Sequence, residues 1–263
     1  MSETARLIAD AYRWQRRLGH ATFETPVCHI VANPAFPDVW DANHADAVSA
    51  QSAIEIDSVF AAMDRHLAHT CWRVVHTDGF TPDAFLARLA LEDYEERPVT
   101  IQMALQGPPS DRGVRIDLHL VSSDADWAEL QRLVALDYAE GRKSGDLDVS
   151  SEFVLSAVTA YRAKGEAYPF HLAVLDGEVV AYGAYALAPN GVGMVEDLFT
   201  LPSARRKGVA TAMIAAFADR LYESGGHTVF LGALASEAPK RLYARLGFRP
   251  VGLARSWVRS LKA

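Results

Sequence analysis

The sequence predicts a mixed α/β fold, a sheet with helices on its faces, and three observations carry that prediction. A Pro- and Gly-rich stretch, "QGPPSDRG" (Gln106–Gly113), breaks the chain into two parts. Downstream of it, hydrophobic periodicity switches repeatedly between two and 3.6 residues, in the order β-α-α-β-β-β-α-β-α-β. Upstream, the order β-α-β-α-β repeats the second half of that pattern, though not its residues. The expected division is an N-terminal α/β domain over 1–108 and a second domain over 109–263.

Each element has a local reason. "VRIDLHLV" (Val114–Val121) alternates apolar and polar residues and reads as a strand. "DADWAELQRLVALDYAE" has helical spacing, with Asp124 as its expected N-cap. "SSEFVLSAVTAYRAKG" is a second helix, capped near Ser150 or Ser151 and stopped at Gly165. Asp176-Gly177 between two apolar runs marks a hairpin, and "APNG" marks another, which gives three consecutive antiparallel strands. A long helix over Val209–Glu223, a strand "HTVFLGAL", a short helix "APKRLYARLG" and a last strand or pair "FRPVGLARSWVRS" complete the part. In the N-terminal part the first twenty residues are charged and helix-like. "ETPVCHIVANP", "CWRVVHT" and "VTIQMAL" read as strands, and "IEIDSVFAAMDRHLA" and "PDAFLARLALEDYEE" as helices.

Composition excludes several classes. A net charge of −7 argues against nucleic acid as a partner, because phosphate binding is driven by Lys and Arg. Two cysteines, Cys28 and Cys71, make neither a disulfide framework nor a CxxC zinc site, and both read as buried thiols. No stretch approaches a membrane span, and the N-terminus lacks a signal peptide's apolar core, so the expected setting is the cytoplasm. His66 and His69 have helical metal-ligand spacing without a third ligand, and no metal is expected. "DVWDANHAD" (Asp38–Asp46) lacks the Gly and Glu of a calcium loop and reads as a polar loop.

One stretch invites chemistry. "SARRKGVATAMIAAF" places Arg205, Arg206, Lys207 and Gly208 directly before the long helix. Cations there oppose the helix dipole, whereas an anion seated on the first-turn amides would relieve that opposition. By composition alone the stretch is either such a cradle or a solvated turn. It is neither a Walker loop nor a GxGxxG fingerprint.

Arg205–Ala210, "RRKGVA", followed by Thr211, resembles the [RQ]-x-x-G-x-[GA] motif of the GNAT superfamily of acetyl-CoA-dependent N-acyltransferases. The preceding "VEDLFTLPSA" is similar to that family's fourth strand, and "SEAPKRLYARLGFRPVG" to its last helix and strand, including Tyr243, Gly247 and Phe248. The resemblance covers roughly Val114–Arg259 and implies a mostly antiparallel GNAT-type sheet, with the N-terminal part a degenerate tandem partner lacking the cradle. It implies that the amides of Arg206, Lys207, Gly208, Val209, Ala210 and Thr211, beside Arg205, hold the pyrophosphate of acetyl-CoA. The backbone of Leu198, Phe199 and Thr200 would pair with the pantetheine arm between splayed fourth and fifth strands. Ser236 stands where the family often has Asn at the coenzyme. Glu196 would be the general base, the Leu198 amide would polarise the thioester oxygen, and Tyr243 would protonate the leaving thiolate. Without the resemblance, Tyr243 reads equally as a core aromatic, and Glu196 and Asp197 as strand-edge charges. In a regular strand only one of that pair faces the substrate; a bulge would change this.

The expected reaction is acetyl transfer to a primary amine by direct attack in a ternary complex. The acceptor is a small-molecule or protein amine, neither nucleic acid nor membrane, and the protein is a monomer or homodimer. The alternatives are a non-catalytic CoA-binding sensor or scaffold, and an enzyme that uses another acyl-CoA.

Overall fold

A computed structural model describes residues 2–141 and 150–261. The helices are α1 (Glu3–Arg17), α2 (Ala53–His66), α3 (Asp83–Leu91), α4 (Asp124–Gly141), α5 (Ser151–Ala163), α6 (Val209–Glu223) and α7 (Pro239–Leu246). The strands are β1 (Ala21–Glu24), β2 (His29–Ala32), β3 (His44–Asp46), β4 (Trp72–Thr77), β5 (Glu95–Glu96), β6 (Thr100–Leu105), β7 (Asp117–Leu120), β8 (Phe170–Leu175), β9 (Glu178–Leu187), β10 (Val192–Thr200), β11 (Thr228–Leu234) and β12 (Arg249–Ser260). They form two compact units, one of residues up to Gln102 with Ala233–Lys240 and the stretch from Pro250, the other of Met103–Gly232 with Arg241–Arg249.

In the second unit, β7, β8, β9 and β10 pair antiparallel in sequence, and β11 returns parallel to β10 after α6. The β8–β9 turn follows from its residues: Asp176 and Gly177 are both left-handed, at φ 54° and 84°, which a two-residue turn of the right twist requires. The α4 cap lies one residue before the expected Asp124. Ser123 Oγ accepts from the Asp126 amide at 3.2 Å, and the Asp126 carboxylate accepts from the Ser123 amide at 2.9 Å, a reciprocal box. α5 is capped by Ser150, whose hydroxyl accepts from the Phe153 amide at 3.1 Å.

The first unit repeats this plan. β1, β2 and β3 are antiparallel in sequence, and β4 returns parallel to β3 after α2. Three strands here were not expected: β1, β3 and the two-residue β5, which lies at the end of the stretch read as a helix. β1 is short and mostly exposed, so it shows little alternation. β3 lies in the stretch read as a polar loop, yet all three of its residues are buried. Burial alone would raise the Asp46 pKa, but hydrogen bonds from His29 and His44, with Arg17 nearby, hold it well below the carboxylate range. A strand built of buried polar residues has the composition of a loop.

The expected division at 108/109 separates halves of the sequence, whereas the compact units exchange their last strands. β12 pairs antiparallel with β4 from Arg255↔Thr77 to Ser260↔Trp72. Its Trp257 joins the first unit's core with Phe85, Leu89 and Met63, and its indole N–H donates to Thr77 Oγ1 at 3.2 Å. β6, whose Met103–Leu105 belong to the second unit, neighbours β11.

No helix among the described residues is long and apolar enough to cross a membrane. His66 stacks on Phe23, and His69 hydrogen-bonds Asn43 at 2.6 Å. Among the described residues no group of three or more His, Cys, Asp or Glu could hold a metal ion. Both cysteines are free thiols; Cys28 is buried and Cys71 partly so.

Candidate active site

The chain leaves β10 at Pro202, makes one short 3-10 turn over Pro202–Ala204, and enters α6 through Arg205–Gly208. Arg206 and Gly208 are both left-handed, at φ 65° and 86°. Left-handed residues alternating with ordinary ones turn successive amides toward a common point, the geometry of an anion nest. The first intrahelical bond runs from the Ala212 amide to Gly208 O at 3.0 Å. The amides of Val209, Ala210 and Thr211 therefore have no acceptor within the helix. The first turn of α6 carries no acidic residue that would neutralise its positive end. Arg206 and Lys207 are exposed beside it. These residues fit a diphosphate in donor type, charge and access.

The Arg205 side chain is used differently. Its guanidinium makes two bonds of 2.6 Å to Glu140 on α4, and its Nε donates to Thr200 O at 2.9 Å. It ties the cradle loop to α4. A second brace is Gly113, at φ 66°, which lies against the same turn. A β-carbon there would stand 2.4 Å from Gly208 O and 2.6 Å from the Ala212 amide nitrogen. Gly113→Ala is expected to lower stability by about 1–3 kcal/mol through this overlap and its left-handed backbone, read as a drop in urea midpoint at unchanged slope.

The β10–β11 ladder runs from Val192↔Thr228 to Val195↔Leu231, while β10 stays paired with β9 as far as Thr200↔Ala181. Past Val195 the two parallel strands part. The β10 backbone from Glu196 to Thr200, with the Leu198 amide in its middle, leaves an edge to which an extended ligand can add as a strand. The register with β9 shifts between Glu196 and Phe199, and Asp197 is left-handed at φ 51°. This bulge overrides the alternation expected of a regular strand. Glu196 pairs with Ala184, which also pairs with Phe170. Asp197 accepts from the hydroxyls of Tyr161 (3.3 Å) and Tyr168 (3.0 Å), whose rings pack on that same Phe170. Both carboxylates thus belong to the face carrying α4 and α5. The strained residue, at a cost of about 1–3 kcal/mol, sits where a functional constraint is expected to hold it.

Tyr243 on α7 is buried in the second unit and packs on Phe248, ring centroids 6.3 Å apart. Ser236 is exposed in the turn after β11 and belongs to the first unit, apart from the other site residues in the chain's division.

Sequence reasoning missed Asp137 and its tyrosines. Asp137 lies on α4, where Leu130, Leu133 and Val134 are fully buried. A carboxylate three and four residues beyond an apolar stripe was the available signal. The Tyr182 hydroxyl on β9 donates to Asp137 Oδ2 at 2.7 Å. Burial, with the nearby Asp197 and Glu140 carboxylates, pushes Asp137 up to about 6, against the Tyr182 hydrogen bond and Arg205, which pull it down. Burial, with the Asp137 and Asp197 carboxylates, pushes Tyr182 well above its ordinary value, so it remains a neutral donor.

Residues 127–248 match the sequence model of the acetyltransferase (GNAT) family. That stretch, just under half of the chain, is similar to a GNAT acetyltransferase domain, and the class it points to is acyltransferase. Among solved structures, a functionally unknown conserved protein from Staphylococcus epidermidis aligns with TM-score 0.67 and 12% identity, over 92% of this chain and 95% of that one. A GCN5-related N-acetyltransferase from Kribbella flavida aligns with TM-score 0.64 and 19% identity, over 98% and 96%. A tandem GNAT protein from the clavulanic acid biosynthesis pathway aligns with TM-score 0.59 and 13% identity, over 100% and 98%. These likenesses establish the fold, tandem arrangement included. No curated protein matches the chain significantly.

Proposed function

We propose that this protein is an acetyl-CoA-dependent N-acetyltransferase that acts on a primary amine in the cytoplasm, with 109–263 as the catalytic half of the sequence. The observation that carries the reading is the β10 edge, released from β11 at Val195 and bulged at Asp197, leading directly into the left-handed Gly208 and the open amides of α6. Acetyl-CoA would supply the activated thioester. The amides of residues 206–211 hold its diphosphate, and the Leu198–Thr200 backbone aligns its arm. Glu196 takes one proton of the acceptor ammonium, the amine nitrogen bonds to the carbonyl carbon, the carbon–sulfur bond breaks as Tyr243 protonates the sulfur, and the second proton that the nitrogen sheds as the amide forms restores the Tyr243 phenol. The Leu198 amide polarises the carbonyl oxygen. The Kribbella protein's name states the activity proposed here.

Thiol release from acetyl-CoA across a panel of small amines and lysine peptides tests the reading. Release that depends on the amine supports it; CoA binding without release with any amine overturns it. Tyr243→Phe is expected to lower kcat by about 10–10²-fold with CoA affinity retained, since it removes one proton donor and leaves the ring packing in place.

A further inference from the structure

Asp137 has no part in the chemistry above, yet it lies on the face of β9 and β10 that carries Glu196. Tyr182, its hydrogen-bond donor, pairs with Phe199, and Ala184, two residues along the same strand, pairs with Glu196. Around it stand Asp197 on β10, Glu140 and Tyr138 on its own helix, Tyr161 on α5, and Arg205 on the cradle loop. Arg205, the cation among these, is engaged by Glu140 in two bonds. Asp137's own hydrogen bond comes from a neutral phenol. A partly buried carboxylate served by a phenol is costly to hold as an anion, and a cation brought beside it recovers that cost.

Resting on the acyl-transfer reading, we propose that Asp137, oriented by Tyr182, is a specificity-determining residue that receives a positive charge of the acceptor. The substrate class is then an amine with a second cationic group, such as a diamine, a polyamine or a peptide lysine beside another base. Glu196 deals with the reacting nitrogen, while Asp137 holds the charge that stays.

The pH dependence has a definite sign. Asp137 recruits a cation only as the anion, so its contribution to acceptor binding is absent below pH 6 and grows as pH rises through about 6. Stability runs the other way. Because the folded-state pKa is raised, the folded form binds the extra proton, and stability falls as pH climbs from the unfolded carboxylate value to about 6. Asp137→Asn keeps an acceptor for Tyr182 and removes the charge.

The test compares wild type, Asp137→Asn and Tyr182→Phe by thiol release with acetyl-CoA, using a diamine and a monoamine of matched length. Asp137→Asn is expected to raise KM for the diamine about 10–10²-fold. KM for the monoamine and kcat should change little, the acid limb of kcat/KM near pH 6 should vanish, and Tm at neutral pH should rise. Tyr182→Phe, which removes a bond that lowers the Asp137 pKa, is expected to move that limb to higher pH. A structural carboxylate would give the opposite Tm change and no shift of the limb. Equal KM changes for both amines, or an acid limb unmoved in both variants, overturns this inference alone. No wild-type turnover with any amine overturns the acyl-transfer reading, and the role of Asp137 with it.

Discussion

Glu196→Gln should lower kcat about 10²–10⁴-fold at neutral pH while the CoA dissociation constant stays within a factor of two or three. The substitution is isosteric, so the side chain keeps its place on β10 opposite Ala184. What is lost is basicity. An alkyl ammonium at neutral pH is almost wholly protonated, and without a base only the small neutral fraction can attack. The deficit should therefore narrow as pH approaches the amine's own pKa. The cradle amides lie beyond Pro202 and do not involve the Glu196 side chain, which is why CoA binding should persist. Stopped-flow or steady-state thiol release over pH 6–10 gives the first quantity and calorimetry the second. A kcat equal to that of wild type across this range would remove Glu196 from the chemistry.

Gly208→Glu is expected to weaken CoA binding by at least about 10²-fold, close to 3 kcal/mol. Two effects add. At φ 86° a side chain of L configuration costs about 1–2 kcal/mol and brings its β-carbon 3.1 Å from the Val114 amide. A carboxylate at the head of α6 also occupies the positive end meant for phosphate. Gly208→Asn separates strain from charge: Asn tolerates left-handed backbone, so it should keep the fold and most of the affinity. Arg205→Ala should do less than either, because that side chain is turned to Glu140 and an exposed pair of this kind is worth about 0–1 kcal/mol. Unchanged CoA affinity in Gly208→Glu would place the diphosphate elsewhere.

Much of this was legible in the residues. Asp176-Gly177 specified its hairpin because only such a pair accepts two left-handed positions, and the α6 bounds came from an unbroken helical period ended by Gly225-Gly226. The left-handed entry to α6 was visible because a glycine follows three cations directly before the helical period begins. Other features were not. β3 was hidden because His44 and Asp46 are polar residues buried in the interior, and no period-two pattern survives that. The bulge at Asp197 is a property of pairing with β9, so the strand alone could only raise it as a condition. Asp137 acquires its meaning from Tyr182, forty-five residues away. The exchange of β6 and β12 could not be read at all, since equivalent strands in equivalent halves carry interchangeable patterns.

That exchange has a consequence for biosynthesis. The first unit lacks β12, and with it Trp257, until the chain beyond α7 has been made. Its core cannot close before then, although most of its residues are made first. The order of maturation is thereby inverted relative to the order of synthesis. Neither half could have been shed once the arrangement existed, because each holds a piece without which its neighbour stays open.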